Sequence, residues 1–227
     1  MTRYLLSLGL MLMTSLAYSQ TSLATIESLP KVDSADYFLQ KGLVEKQNGR
    51  RLESLKNFEK AIRYDENSLA INTELAQAYL DLRRYALARE TFLKLVRMGD
   101  ETAANFKQIL TLSFQLKQKD DVLLYANKLK KADPSEKVAY YIGRIHYEND
   151  NYGEAIKYLN EAIKEDPTNA DAPYMIAHSY SDMMNYKLAV PYFKQAIELK
   201  PNESYWIYEL SLIFYAMNND KDALKYM

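Results

Sequence analysis

The residues of this chain that could do chemistry are sparse, and their spacing argues against catalysis. There is no His-Glu-x-x-His, no glycine-rich phosphate loop and no Gly-x-Ser-x-Gly elbow. The absence of cysteine excludes a disulfide framework, a thiolate zinc site, a thiol nucleophile and lipid attachment through cysteine. The two histidines, His146 and His178, are too far apart in sequence to form a local ligand pair. A metal ion needs second and third ligands that nothing nearby supplies, so His146 reads as a packed or half-exposed histidine. Carboxylates are numerous, but on an amphipathic chain they are the solvated face. No pair stands out as an acid and base. The reading is a protein without catalysis, metal or small-molecule cofactor. The residue that does stand out is tyrosine, with twenty in the chain. Tyr140, Tyr174 and Tyr208 recur at a spacing of 34. One helical turn further on lie Arg144 and His178, and beyond them Tyr147 and Tyr215. Tyrosine and arginine combine large contact area with a polar handle, the chemistry of protein interface hot spots. Lys107 and Thr73 occupy the tyrosine column earlier in the chain, so the aromatic surface belongs to the C-terminal half.

Positioning such a stripe takes a periodic scaffold, and a period of 34 runs through the chain. One small-residue column reads Gly42, Ala76, Leu110, Gly143, Ala177, Ser211. The position before it reads Lys41, Leu75, Ile109, Ile142, Ile176, Leu210. A second small column reads Ser54, Ala88, Val122, Ala155, Ala189, Ala223. A large column reads Phe58, Phe92, Ala126, Leu159, Phe193, Met227, and a third small or apolar one Ala61, Leu95, Leu129, Ala162, Ala196. The single step of 33 falls just after Pro134, where a loop tolerates a missing residue. Within each unit the apolar residues lie three or four apart, the helical spacing. Asp-Pro at 133–134 and 166–167, and Lys-Pro at 200–201, end the second helix of a unit, because the residue before proline is steered away from αR. Each unit is therefore expected to be a helical hairpin, with small residues at the crossing and a large one filling the groove beside it. Pro191 falls about a turn inside a second helix and predicts a slight kink or a late start there.

These columns resemble the tetratricopeptide repeat. The unit at 170–203 fits best, through Ile176, Ala177, Tyr180, Ala189, Phe193, Ala196 and Pro201. The resemblance implies an all-α fold, an α-solenoid of stacked helix-turn-helix hairpins coiled as a right-handed superhelix. It divides the chain into complete repeats at 35–68, 69–102, 103–135, 136–169 and 170–203, with a partial repeat at 204–227. It also implies that the first helices line a concave groove taking a protein or peptide partner. The groove residues would then be Tyr140, Arg144, Tyr147, Tyr174, His178, Tyr208 and Tyr215. The chain departs from the family pattern in three places. The usual first-helix tryptophan position reads Phe38, Asn72, Phe106, Ala139, Pro173, Ile207; Lys41 sits in a core column; and Ala126 replaces the expected aromatic, which suggests a looser third hairpin. The lysine and asparagine carboxylate clamp of the chaperone-binding members is not matched.

Net charge is −1 and no basic run forms a stripe, so a nucleic-acid partner is not indicated. Arg3, the apolar run 5–16 and Ala17-Tyr18-Ser19 have the form of a secretory signal (1–19), with cleavage before Gln20 and a periplasmic or secreted mature protein. The run is too short to span a bilayer, and no later stretch is apolar enough, so no membrane span is expected in the mature chain. Residues 20–34 read as a polar linker. The last apolar column ends at Met227, part-way through a second helix, which suggests further repeats or another domain. The chain is then read as a binding scaffold or, alternatively, as the N-terminal sensor or interaction region of a larger membrane signalling protein or enzyme.

Overall fold

The computed structural model describes residues 34–227. The expected signal, and the linker up to residue 33, lie outside the described residues. Within the described residues the chain is all helix and forms six hairpins. They pair α1 (Ala35–Gln47) with α2 (Arg51–Tyr64) and α3 (Leu69–Asp81) with α4 (Tyr85–Arg97). Next come α5 (Ala103–Gln115) with α6 (Lys119–Ala132) and α7 (Ala139–Glu148) with α8 (Tyr152–Glu165). The last pairs are α9 (Asp171–Asp182) with α10 (Tyr186–Leu199) and α11 (Ser204–Ala216) with α12 (Asp220–Tyr226).

The helices fall into two compact units that divide between Glu101 and Thr102. In the first unit, α1 packs on α2, α2 on α3, and α3 on α4. In the second, the same succession runs from α5 to α12, and the first helices α7 and α9 also touch each other. A hairpin buries only one side of each helix by itself, and its neighbour covers the other.

The columns read from the sequence are the core. All six residues of each small column are buried, as are Ala61, Leu95, Leu129, Ala162 and Ala196. The large column is buried from Phe58 to Phe193, whereas Met227 is 83% exposed. At Gly143 the helices approach so closely that an added Cβ would lie 2.8 Å from Leu159 Cγ and 3.0 Å from its backbone nitrogen. Around Ala126 the hairpin is filled by Phe106 and Tyr125, whose rings lie 5.9 Å apart, and all three residues are buried. The α10 helix starts at Tyr186 and runs through Pro191 with no late start.

The turn inside each hairpin has one geometry. Gly49, Arg83, Lys117, Asp150, Met184 and Asn218, one per hairpin, all have φ between 55° and 74°. Each follows a helix C-cap, and the next residue's N–H reaches back five residues, as in Arg84 N–H to Tyr79 C=O at 2.8 Å and Asn185 N–H to Tyr180 C=O at 2.8 Å. This is the Schellman arrangement, whose left-handed residue is usually glycine. Here only Gly49 is. Met184 is 77% exposed and has φ 57°. Met184→Gly is expected to raise stability by about 0.5–1 kcal/mol, the left-handed cost of a side chain less the entropy glycine adds to the unfolded chain. Urea unfolding of the two proteins measures it.

Four of the six first helices among the described residues start by two devices. Ser34, Ser68 and Thr102 cap α1, α3 and α5, each accepting a hydrogen bond from the backbone N–H three residues on. The α7 helix starts only at Ala139, whose N–H donates to Glu165 Oε2 of α8 at 3.1 Å. Glu165 also pairs with Lys130 at 3.1 Å. A carboxylate from the partner helix thus replaces the local cap where the shortened loop removes it.

Candidate functional site

The second unit carries the aromatic first-helix face. Tyr140 of α7 is half-buried, packs on the core beneath α9, and takes a hydrogen bond from Arg144. Arg144 lies 4.9 Å over the Phe114 ring and pairs with Glu148 at 3.1 Å. Tyr174 of α9 is half-buried too. It stacks on Trp206 of α11 at 4.5 Å and meets His178 edge-on at 4.6 Å. Its hydroxyl donates to Glu209 Oε2 at 2.9 Å. His178 Nε2 contacts the same oxygen at 3.0 Å, and the Tyr205 hydroxyl also bonds this carboxylate. Tyr147 of α7 lies 6.4 Å from the His178 ring, and its hydroxyl reaches Asp182 Oδ2 at 3.5 Å.

Five of the seven residues singled out from the sequence are thus brought together: Tyr140, Arg144, Tyr147, Tyr174 and His178. The other two stand apart. Tyr208 is 50% exposed and Tyr215 70% exposed. The reason lies in the stacking. Tyr140 is covered by α9 and Tyr174 by α11, while no first helix follows α11 among the described residues. On α11 the exposed side chains Tyr205, Tyr208, Leu212 and Tyr215 fall at helical spacing and form one open stripe.

Two residues that spacing did not single out matter most. Glu209 joins α9 to α11 through three donors, and Trp206 supplies the ring under Tyr174. Neither repeats at 34, so the period could not find them. Burial alone would push the Glu209 carboxyl up. The hydrogen bond and charge of His178, with donation from Tyr174 and Tyr205, outweigh it and hold the carboxyl below its ordinary range. The ionised form therefore contributes stability above the ordinary carboxylate pKa, and that contribution is lost as pH falls through the depressed folded value. Acidification from about pH 6 to about pH 3 is expected to lower the melting temperature less steeply in Glu209→Gln than in the parent. Thermal melts across that range measure it. Burial, then the charge and hydrogen bond of Asp182, then the charges of Glu209 and Asp150, push the Tyr147 phenol up to about 12.

His146 sits away from this face, stacked on Tyr158 at 5.5 Å with the rings 4° from parallel. Among the described residues no group of three or more His, Asp and Glu side chains is placed to hold a metal ion. No described helix is long and apolar enough to cross a membrane.

Residues 39–103 match the tetratricopeptide repeat family, and residues 115–196 match the family of anaphase-promoting complex, cyclosome, subunit 3. No curated protein matches the chain. Among solved structures, the chain is similar to YrrB, described as a TPR protein with an unusual peptide-binding site. The TM-score is 0.67 at 19% identity, over 88% of this chain and 99% of YrrB. It is also similar to a MamA structure, with TM-score 0.61 and 21% identity over 74% of this chain and 97% of that one. PilF of Pseudomonas aeruginosa gives TM-score 0.58 and 15% identity over 85% and 88%. These likenesses concern the fold. Period, hairpin geometry and family matches together identify the chain as one built of tetratricopeptide-type helical hairpins.

Proposed function

We propose that the chain is an exported, non-catalytic scaffold that docks a peptide or protein partner on the first-helix face of its second unit. The observation that carries this is the aromatic face on which Tyr147, Tyr174 and His178 meet at Glu209, with Tyr205, Tyr208, Leu212 and Tyr215 exposed beside it among the described residues. Exposed large apolar residues are ordinary singly, but a contiguous aromatic row is the composition of a recognition surface. The half-buried tyrosines beside it are already fixed by stacking and hydrogen bonds, so a partner would order few side chains on binding. The peptide-binding site ascribed to YrrB is consistent with this use of the fold. Export rests on Arg3, the apolar run 5–16 and Ala17-Tyr18-Ser19.

Selection from a random displayed-peptide library on the full chain tests the docking surface. Binders that compete with one another and are lost in Tyr208→Ala support it. Binders that are all indifferent to Tyr208 and Tyr147 overturn it. N-terminal sequencing of the protein from its native host tests export: a chain beginning at Gln20 is expected, and one beginning at Met1 contradicts it.

A further inference from the structure

The charges on this face are unevenly distributed. Toward α5 and α7 the cations are already paired: Lys107 with Glu136 at 2.8 Å, Arg144 with Glu148 at 3.1 Å, and Lys119 with Glu148 at 3.6 Å. Asp171 is neutralised by Lys200 at 2.8 Å. Three carboxylates differ. Asp182 and Asp150 are exposed, and Glu209 lies beside them. Their partners are phenols and one imidazole: Tyr147 on Asp182, Tyr152 on Asp150 at 3.0 Å, and Tyr174, Tyr205 and His178 on Glu209. Among the described residues no lysine or arginine lies within ion-pair distance of Asp150, Asp182 or Glu209. All three charges act on the Tyr147 hydroxyl, so they share one locality. Here three carboxylates of the aromatic face are met by phenols and the His178 imidazole rather than by a lysine or arginine, and cations sit well on tyrosine rings.

We propose that the α9–α11 part of this face recognises a basic segment, with a lysine or arginine of the partner seated at the exposed Asp182 carboxylate against the tyrosine rings and the Glu209 charge behind it. This rests on the docking reading above and adds the partner's charge to it. The carboxylates give orientation and selectivity, and the exposed row Tyr205, Tyr208, Leu212 and Tyr215 gives contact area. Acidic segments are rejected, because the same carboxylates repel them.

The test is fluorescence anisotropy of the full chain with three labelled peptides of equal length, alternating alanine with arginine, glutamine or glutamate. The arginine peptide is expected to bind about tenfold more tightly than the glutamine peptide and to weaken as salt rises, with the glutamate peptide weakest. Asp182→Asn is expected to lower arginine-peptide affinity about threefold, the scale of an exposed ion pair, and to leave the glutamine peptide unchanged. Glu161→Gln, on the second helix α8, is expected to change neither. Equal binding of all three peptides, or an Asp182→Asn variant that keeps full affinity, overturns the charge inference while leaving the docking face standing. Failure of every peptide to bind overturns both.

Discussion

Phe193→Ala is expected to cost about 4 kcal/mol of unfolding free energy, the usual scale for emptying a buried phenylalanine site. Phe193 is 1% exposed and belongs to the cluster of Ala177, Ala189, Leu210, Phe214 and Ala223. Its ring also lies 5.5 Å from His178 and 6.0 Å from Tyr174. Four of its five cluster partners sit at small or first-helix core columns, and alanine neighbours cannot swing inward to fill the space. Met227 occupies the same column one repeat on and is 83% exposed, so Met227→Ala is expected to change stability by less than about 0.5 kcal/mol. Urea unfolding followed by circular dichroism measures both. Repeat arrays lose cooperativity readily, so the Phe193 variant should also show a shallower transition, with α9–α12 released first.

Tyr174→Ala is expected to cost about 3 kcal/mol, through the lost ring against Trp206 and the lost hydroxyl at Glu209. Tyr174→Phe keeps the ring and should cost about 1 kcal/mol, since it removes one hydrogen bond to a carboxylate that retains other donors. Tyr208→Ala should cost less than about 0.5 kcal/mol, although Tyr208 repeats Tyr174 at 34, because half of Tyr208 is exposed. The same residue type in the same column thus serves two ends. Where a following first helix covers it, tyrosine packs hairpin against hairpin. Where none does among the described residues, as at Tyr208, it is exposed. Thermal unfolding of the three variants measures the difference, and a Tyr208→Ala protein as damaged as Tyr174→Ala would refute this division.

Much of the fold could be read from spacing, because stacked hairpins repeat one packing problem. Ala155, Ala189 and Ala223 meet the same crossing in successive units, and Leu159 and Phe193 fill the same groove. Helix ends were legible at Asp133, Asp166 and Lys200, where the following proline forbids continuation. The hairpin turns were not. A left-handed residue is signalled by glycine, and at Arg83, Lys117, Asp150, Met184 and Asn218 the Schellman hydrogen bonds impose that conformation on other side chains. The late start of α7 depends on Glu165, a contact between helices that no local pattern encodes. For the candidate site, the tyrosine column pointed to α7, α9 and α11. It could not say which tyrosines are covered, because coverage depends on the next hairpin. Glu209, Trp206 and Asp182 act through contacts between neighbouring hairpins, and a residue that occurs once leaves no trace in a period.

The central claim, that partners dock on the open tyrosine row, meets its most direct test in isothermal titration of a library-selected peptide into the parent, Tyr208→Ala and Leu188→Ala. Leu188 is 51% exposed on the second helix α10, away from the first-helix face. Tyr208→Ala is expected to weaken binding at least about tenfold, the scale of an interface hot spot, with an unchanged melting temperature, and Leu188→Ala to bind as the parent does. Undiminished affinity in Tyr208→Ala, or a loss confined to Leu188→Ala, would contradict it.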